Sequence, residues 1–461
     1  MPNDSTSHGS FDAGKPTLPR TVYAPFDYDV DLYFYSRTTL EYGSVLPLEY
    51  SGWRNEVMSW KHSCYLHSGL NPAFTHRVKG PDALKLFSDI CVNGFNKFPI
   101  GSLRHGIMCN ENGLVVAHGV LLRTGEEEFI THYLGLWTDY KLRTGNYNAT
   151  GEFIHDEFIF QVAGPRSLEV LEVATGECLH DIGFARHRMS SIDGMNVRVL
   201  RVGMAGTLAY EVHGKIQNVM AAYNALMKAG EPFGITKLGR TAYTMNHTEN
   251  GFPQLFVHFP APLHEDKGFM EYLGDRWKSP PPLLAGSMGT DMHLRYRNPI
   301  ELGWGHTIKF DHEFIGRAAL EKEAANPRRT VVTLEWNIDD VVDIYASQFR
   351  PGEPYMPMEP NHSSQYKGRH QMYADKVLKD GKLIGVSSGR MHSYFYRTMI
   401  SMCSIDTEHS ALGTQITVLW GDPGTRQKEI RATVARFPYL TEERNERNDV
   451  SKITCCVPKS L

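Results

Sequence analysis

The sequence lacks the short motifs that identify several large enzyme classes. It contains no G-x-x-x-x-G-K-[ST] phosphate loop, no G-x-G-x-x-G dinucleotide fingerprint and no H-E-x-x-H zinc motif. Each of these motifs carries a mechanism, because its glycines let the backbone approach a phosphate or its histidines share one face of a helix. Their absence removes the usual support for nucleotide-binding and zinc-protease functions.

Cysteine is sparse, and its positions follow no pattern. The seven cysteines are odd in number and no two have C-x-x-C spacing, so the sequence predicts neither a disulfide framework nor a zinc site. The 21 histidines are also scattered, and none of them forms a run with the spacing of metal ligands. Both residue types therefore favour a protein without a bound metal in a reducing compartment, the cytoplasm.

A large charge of one sign and long apolar runs are missing as well. The formal net charge is −4 and the sequence pI is about 6.6, so there is no global basic footprint for nucleic acid or an anionic membrane. No apolar run approaches the ~18 residues that a membrane helix needs. Residues 1–20 have no apolar core of a secretory signal and are predicted to be a flexible tail. The expected partners are small molecules, with neither nucleic acid nor membrane.

What the sequence does contain is a mixture of helix and strand signals. Its 461 residues exceed one ordinary hydrophobic core, which predicts two or three domains. Asn112 and Gly113 separate two apolar strands and predict a hairpin, whereas Gly164-Pro165 and Gly176 bracket a short helix. From about residue 330 onward, short strands separated by turn residues predict an all-β domain. The predicted fold class is therefore α+β.

The most informative stretch extends from Arg198 to Gln254. A strand-like alternation ends at glycines and resumes in a second strand that carries one carboxylate, Glu211. An apolar period of three and four residues then predicts a helix that ends near Gly230. The polar and aromatic run that follows, from Leu238 onward, fits no simple period and is interpreted as the lining of a cavity.

Several blocks that occur in order along the chain resemble the glycine-cleavage aminomethyltransferase family, which has the tetrahydrofolate-dependent T-protein fold. The resemblance covers about residues 60–440. Its blocks are K-G-P-D-A at 79–83 with C-N-E-N-G at 109–113, G-T-L-A-Y-E-V at 206–212, P-I-E-L-G-W at 299–304, F-I-G-R-A-A-L at 314–320 and S-S-G at 387–389. The resemblance implies three domains around a central site: two intertwined folate-binding α+β lobes over residues 21–329 and a C-terminal β-barrel over residues 330–461.

Two departures from that family are informative. The family's hairpin ends in a pair of aspartates used in aminomethyl transfer, whereas this chain has Ala117 and His118 at the matching positions. The family's Arg-Asp-x-Leu-Arg-Leu-Glu helix becomes R-T-A-Y-T-M-N at 240–246, which keeps Arg240 and introduces Tyr243. Within the wider family this pattern is similar to the bacterial aromatic O-demethylases that act on vanillate, 3-O-methylgallate and syringate. Residues 48–54 and 246–254 also resemble that branch.

This resemblance implies transfer of the methyl group of a methoxylated, lignin-derived aromatic acid to N5 of tetrahydrofolate, which gives 5-methyltetrahydrofolate and a phenol. The protein must align the two reactants and help the departing phenolate accept a proton. A phenol with a pKa of ~10 is a suitable donor to a phenolate of similar basicity. Tyr243 is the candidate acid, because the resemblance places it beside the folate. The alternative is a core tyrosine with a hydrogen-bonded hydroxyl.

The resemblance also implies residues that bind tetrahydrofolate. Glu211 would accept N–H groups of the pterin, although a salt bridge is the alternative for a strand carboxylate with apolar neighbours. Val116 and Phe184 would form apolar walls for the pterin, or simply belong to the core. Arg240 could bind the glutamate tail of the folate or cap a local structure. Phe252 lies in a block that resembles the O-demethylases and is included with the folate contacts.

For the aromatic acid, Tyr28, Trp53 and His118 are the candidate walls and polar anchor. His118 could bind a carboxylate when protonated or through a neutral N–H, and an ordinary strand histidine is an equal alternative. Tyr28 and Trp53 belong to an aromatic-rich segment, residues 22–60, in which ordinary packing is the alternative.

Two other functions remain open at this point. The first is aminomethyl or dimethylglycine-type one-carbon transfer to folate, which the missing aspartates weaken. The second is a folate-binding assembly factor without turnover. Incubation with tetrahydrofolate and a panel of methoxybenzoates, followed by mass spectrometry, would separate all three functions.

Overall fold

A computed structural model of the chain describes residues 35–38, 44–71, 74–204, 206–274, 283–360, 365–366 and 369–457. Tyr28 and the predicted tail at residues 1–20 lie outside these ranges. The predicted domain boundaries at residues 20 and 329 stay predictions.

The strands of the described residues are given first, because their pairing builds the site. In chain order they are β1 (Tyr35–Thr38), β2 (Ser44–Pro47), β3 (Cys64–His67), β4 (Thr75–Lys79), β5 (Leu103–Cys109), β6 (Val115–Arg123), β7 (Glu128–His132), β8 (Thr150–Ile154), β9 (Glu157–Ala163), β10 (His187–Ile192), β11 (Met195–Leu200), β12 (Ala209–Lys215), β13 (Ile235–Lys237), β14 (Leu283–Ala285), β15 (Arg329–Trp336), β16 (Gln365–Tyr366), β17 (Arg369–Lys379), β18 (Lys382–Ser393), β19 (Thr398–Asp406), β20 (Gln415–Trp420) and β21 (Lys428–Ala435).

The α-helices are mostly short, and they cover the sheets or lie between them. They are α1 (Trp53–Glu56), α2 (Ser59–His62), α3 (Ala83–Ile90), α4 (Gly135–Thr144), α5 (Ser167–Thr175), α6 (Val219–Gly230), α7 (Arg240–Glu249), α8 (Lys267–Leu273), α9 (Arg317–Ala325) and α10 (Ile338–Ser347). Within the described part of the chain, no helix is both long enough and apolar enough to cross a bilayer.

The first lobe is a six-stranded sheet with the order β10-β11-β12-β9-β3-β13. Side chains alternate between the two faces of a strand, and here the faces differ in chemistry. One face carries apolar residues such as Leu66, Phe160 and Val212, which pack on α5 and α6 in a buried core. The other face carries polar residues in the middle of the same strands, and this face lines the candidate site.

The second lobe is a five-stranded sheet with the order β5-β6-β7-β4-β8. The chain leaves the first sheet after β3, builds the second sheet, and returns at β9, which pairs directly with β3. The chain therefore passes from the first lobe to the second and back again. The predicted hairpin is confirmed, because β5 pairs with β6 and Gly113 in the connecting turn has a φ of 74°.

The C-terminal strands close into a barrel. Strands β17, β18, β19, β15, β21 and β20 pair in that order, and β20 pairs back with β17. At the turn between β17 and β18, Asp380 and Gly381 have φ values of 51° and 76°, as a tight primed turn requires. The predicted β-barrel is confirmed.

Residues 385–389 have the G-x-S-x-G sequence of a hydrolase nucleophile turn. They lie inside β18, so no strand-to-helix turn presents their serines.

Three segments that look irregular in the sequence contain helices. Residues 238–254 contain α7, which has no amphipathic period because every residue from 242 to 249 is buried. Residues 260–298, which are rich in proline and glycine, contain α8, whose first turn is capped by the Asp266 side chain. The segment 337–374 contains α10, where the Asn337 side chain accepts a hydrogen bond from the Asp340 N–H.

Candidate active site

The site is built around α7, which is fixed at its beginning by backbone contacts. The Gly239 N–H donates to Glu56 Oε2 at 2.7 Å, and the Thr241 N–H donates to the Leu48 carbonyl at 3.0 Å. A Cβ atom at position 239 would lie 2.2 Å from the Leu48 oxygen, so this close approach requires glycine. Glu56 is itself fully buried and accepts the N–H of Tyr50 at 2.6 Å. The segment before α1 and the start of α7 are thus held together.

The end of α7 is fixed by a buried charge network. Glu249 Oε2 lies 2.8 Å from Lys61 Nζ and accepts the indole N–H of Trp60 at 2.9 Å. Its other oxygen accepts the Ser393 hydroxyl of β18 at 2.7 Å. One residue earlier, the Thr248 hydroxyl donates to the Gly389 carbonyl at 2.6 Å. These contacts hold α7 against the barrel.

Tyr243 lies between these two ends with its ring covered and its hydroxyl weakly bonded. Its ring is 5% exposed and stacks on His67, with 4.1 Å between ring centroids and 9° between planes. The hydroxyl contacts Met204 Sδ at 3.7 Å, a weak acceptor. Burial raises the pKa of Tyr243 well above its usual value, so the group is a neutral phenol at neutral pH. It can therefore donate a proton to a ligand.

Two histidines beside Tyr243 are neutral, and each has one ring nitrogen that forms no hydrogen bond within the described structure. His67 Nδ1 lies 2.8 Å from the Leu238 carbonyl, and His247 Nδ1 lies 2.9 Å from the Phe252 carbonyl. Each Nδ1 therefore carries the proton, and each Nε2 is a buried acceptor without a partner among the described residues. Burial lowers the pKa of both rings to about 4. These two nitrogens are available to a ligand's hydrogen-bond donors.

A row of polar side chains crosses the face of the six-stranded sheet that is opposite the helices. His67 on β3 pairs with Gln161 on β9, and Gln161 pairs with Glu211 on β12. Directly paired residues project from the same face of a sheet, so the three side chains form a line. Gln161 Oε1 accepts the Tyr65 hydroxyl at 2.7 Å, whereas its Nε2 is buried without a partner in the described structure. The row thus offers both donors and acceptors.

Glu211 shares a proton with a second buried group. Its Oε2 lies 3.0 Å from His213 Nε2. Burial raises the pKa of Glu211 to about 8 and lowers the pKa of His213 to about 3, because it disfavours both charged forms. The proton therefore resides on Glu211 at neutral pH. The ring of His213 packs edge-on against His132 of the second lobe at 4.6 Å, so this pair lies where the two sheets meet.

Arg240, in the first turn of α7, lines a small pocket together with Tyr50, His67 and Tyr243. Its guanidinium forms no ion pair or hydrogen bond with any residue that the structure describes, and burial lowers its pKa. A half-buried cation without an acidic partner is a suitable site for a carboxylate.

His118 and Phe252 belong to an aromatic cluster next to this pocket. Phe252 lies 5.8 Å from His247 and 5.9 Å from His118 between ring centroids. Burial lowers the pKa of His118 well below its usual value, which removes the protonated form as a carboxylate anchor. Its Nε2 accepts the Leu255 N–H at 3.4 Å and its Nδ1 lies 3.2 Å from His105 Nε2, so both ring nitrogens have partners.

Three other predicted contacts lie elsewhere. Val116 is 2% exposed and packs in the core on α3 and α4. Phe184 is 44% exposed and makes no ring contact with other described residues. Trp53 packs on His392 and Tyr394 of the barrel region at 5.6 and 6.1 Å between centroids. The structure brings together Tyr243, Arg240, Phe252 and His118, with Glu211 on the facing sheet.

The sequence interpretation missed His67, Gln161 and His213. A signal was present for two of them, because each is a polar residue in an apolar strand: His67 ends C-Y-L-H, and Gln161 interrupts F-I-F-Q-V. A buried polar residue in such a strand needs a partner, which can be a ligand.

Comparison with known proteins places the chain in a family. Residues 41–257 match the model of the GCVT N-terminal domain. The chain is 44% identical over 421 residues to sesamin methylene transferase of a Sinomonas species, covering 88% of this chain and 93% of that protein. The chain belongs to the GCVT family. It is also 29% identical over 426 residues to syringate O-demethylase of a Sphingobium species, covering 86% of this chain and 90% of that protein.

A solved structure confirms the GCVT fold. The crystal structure of the glycine cleavage system aminomethyltransferase T from Bartonella henselae superposes with a TM-score of 0.65 at 16% identity, over 89% of this chain and 95% of that chain. Together with the domain match and the two relatives, this makes the chain an enzyme of the GCVT type, a folate-dependent one-carbon transferase whose co-substrate is tetrahydrofolate.

Proposed function

We propose that the chain cleaves an aryl ether and transfers its carbon to tetrahydrofolate, with a methoxylated aromatic acid of the syringate, vanillate or 3-O-methylgallate type as the donor. The observation that carries this proposal is the Tyr243 hydroxyl. It is a buried, protonated phenol whose described hydrogen-bond partner is a thioether. Ether cleavage produces a phenolate, and a phenol of matched basicity is a suitable proton donor to it.

The polar row fits the pterin of tetrahydrofolate. The amino-pyrimidinone edge of a pterin presents N–H donors next to a carbonyl acceptor. Glu211 supplies a carboxyl group, and Gln161 supplies an amide N–H that has no partner in the described structure. Glu211 and Gln161 would hold the pterin, and tetrahydrofolate would supply the nucleophilic nitrogen N5. Phe252 would extend this surface, whereas Val116 and Phe184 would serve only as more distant walls.

The protein's own part in the reaction is to deliver one proton from Tyr243 to the departing phenolate, and the proton that N5 loses as it gains the methyl group would restore Tyr243. The raised pKa of Tyr243 means that its oxygen keeps the proton until a base as strong as a buried phenolate forms beside it. Stacking on His67 fixes the plane of the Tyr243 ring, and the neutral His67 does not compete as an acid. Expulsion of water from this buried region would strengthen the contact between the hydroxyl and the leaving oxygen.

Arg240 would bind a carboxylate beside Tyr243. Within the described residues it is the cation that lines this pocket, and the histidines around it are neutral. If Arg240 binds the glutamate tail of the folate, the aromatic acid would be bound by Trp53, His118 and Tyr28. Arg240→Met should then raise the KM for folate and leave the KM for the aromatic acid unchanged. The reverse result would assign Arg240 to the aromatic acid.

A methylenedioxy arene is the second candidate donor, because the relative at 44% identity is named a sesamin methylene transferase. In that reaction two carbon–oxygen bonds break, the arene leaves as a catechol with two new O–H protons, and the methylene carbon is bonded to two folate nitrogens. A neutral donor of this kind needs no cation in the pocket. It therefore fits the assignment of Arg240 to folate.

The experiment is incubation of the purified chain with tetrahydrofolate and separate methoxybenzoates, methylenedioxybenzenes and aminomethyl donors, read by mass spectrometry. We expect 5-methyltetrahydrofolate and a phenol from the methoxybenzoates, and no product when folate is left out. A metal chelator should leave the activity unchanged, provided that the assay temperature is below the melting temperature of the protein. A methylene-folate product with a catechol would select the second donor. Turnover of aminomethyl donors only would overturn the proposal, and tight folate binding without any turnover would indicate the assembly factor.

A further inference from the structure

A second cluster of reactive side chains lies on the side of the six-stranded sheet that faces away from Glu211. Glu172 is on α5, Cys178 is in the loop that follows, and Cys455 is on the C-terminal segment. A carboxylate oxygen of Glu172 and the sulfur atoms of Cys178 and Cys455 all lie within 4.8 Å of one another. The cysteines show no metal-binding spacing in the sequence, so only the folded structure reveals this cluster. Both cysteines are free thiols.

The carboxylate at the centre of this cluster is rigidly held. Glu172 is 0% exposed, its Oε1 accepts the Leu179 N–H at 3.0 Å, and its Oε2 accepts the Cys456 N–H at 2.9 Å. Each carboxylate oxygen has a second lone pair, so both remain able to bind a cation. The C-terminal segment is anchored beside it by Val450, which is buried in the core on α5 and α6.

A fourth donor lies next to Glu172. His180 Nε2 is 3.3 Å from Glu172 Oε1. This nitrogen is buried, and its contact with Glu172 lacks the geometry of a hydrogen bond. It is not among the atoms that lie within 4.8 Å of one another, but a cation held by Glu172 would give it a better partner.

We propose that Glu172, Cys178 and Cys455 hold a zinc-type divalent cation in a structural site, and that the neighbouring His180 ring turns toward the cation as the fourth ligand. Two thiolates, one imidazole and one carboxylate are donors that zinc prefers, and four protein ligands make a closed, structural site. Zinc bond lengths of about 2.0 to 2.3 Å in a tetrahedron place ligand atoms about 3.3 to 3.8 Å apart. The 3.3 Å between His180 and Glu172 agrees with that spacing. The cation would fasten the C-terminal segment to α5.

The test uses the full chain, purified under reducing conditions, and zinc chloride as the probe. We expect one zinc per chain by elemental analysis, an increase in melting temperature on zinc addition, and a thiolate-to-metal charge-transfer band with cobalt. Cys178→Ser, Cys455→Ser and His180→Ala should each weaken zinc binding at least tenfold in competition with a chromophoric chelator.

Cys456→Ser is the matched control. Its sulfur is directed to the Thr454 carbonyl at 3.9 Å, away from the cluster, so zinc affinity should not change. In chelator the wild type and Cys455→Ser should melt at the same temperature, which separates loss of the site from misfolding. Equal zinc affinity in the wild type and Cys455→Ser would overturn the proposal, and so would unchanged affinity in His180→Ala. A Cys178–Cys455 disulfide in air together with no zinc binding by the reduced chain would also overturn it.

Discussion

The two ends of α7 contrast in how completely their polar groups are paired. At the end of the helix, Glu249 is bonded to Lys61, Trp60 and Ser393. At the beginning, Arg240 has no acidic partner in the described structure, and the Tyr243 hydroxyl contacts only a thioether there. Tyr243 and Glu249 are both buried, so the difference between them is one of pairing and not of exposure.

The same contrast separates two buried carboxyl groups. Glu249 has a cation within 2.8 Å, whereas Glu211 has a neutral histidine at 3.0 Å and a pKa raised to about 8. A fully paired buried charge network rigidifies a structure, and an incompletely paired one is costly unless a ligand completes it. The paired carboxylate of Glu249 therefore stabilises the fold, whereas Glu211 keeps hydrogen-bonding capacity that a ligand could use.

Replacing Tyr243 with Phe should give the largest effect. The ring and its stacking on His67 survive, but the proton donor is lost, which typically reduces the rate ~100- to 10,000-fold. We expect an unchanged melting temperature with a collapsed single-turnover rate, and partial recovery with donors whose phenol is more acidic. A parent-like rate on ordinary methoxybenzoates would show that Tyr243 is not the acid.

Replacing Glu249 with Gln should break the other end of the helix. Lys61 is then left buried without its counter-ion, and breaking a buried pair costs ~3 to 5 kcal/mol. Urea denaturation should report this loss in the free energy of unfolding. Lys61→Met combined with Glu249→Gln serves as the control and should regain part of the stability. A stability equal to that of the wild type would contradict the structural role.

Replacing Glu211 with Gln should weaken folate binding, because a charge-assisted hydrogen bond is worth ~1.5 to 3 kcal/mol. The pKa of Glu211 is about 8 in the free protein, and the pterin N–H groups need the carboxylate form. Wild-type affinity should therefore rise from pH 6 to about pH 8 and then level off, with proton release on binding. Calorimetry in two buffers measures this release. If the Glu211→Gln variant shows the same dependence of folate affinity on pH as the wild type, Glu211 does not bind folate.

Replacing His118 with Ala should give the smallest effect. Both ring nitrogens of His118 bond to protein groups, so the side chain shapes the pocket wall and does not carry charge. We expect a rise of several fold in the KM for the aromatic donor with little change in kcat, the sign of lost uniform binding. An equal fall in kcat and kcat/KM would instead indicate a role in the transition state.

Local sequence signals were sufficient for the turns and for the family. The hairpin at Asn112-Gly113 forms as predicted, because Gly113 can adopt the positive φ that its turn requires. The ordered family blocks gave the α+β fold, the barrel and tetrahydrofolate. The roles predicted for Tyr243, Glu211 and the other site residues stay predictions.

The sequence by itself determined what depends on a few consecutive residues: turn chemistry, strand alternation and the helices with one apolar face. Tertiary structure decided α7, because a helix buried on all sides has no period to recognise. It also decided the line of His67, Gln161 and Glu211, which exists only through the register of β3, β9 and β12. In both cases the deciding contacts join residues far apart in the chain, and no local pattern records which strands will pair or which faces will be covered.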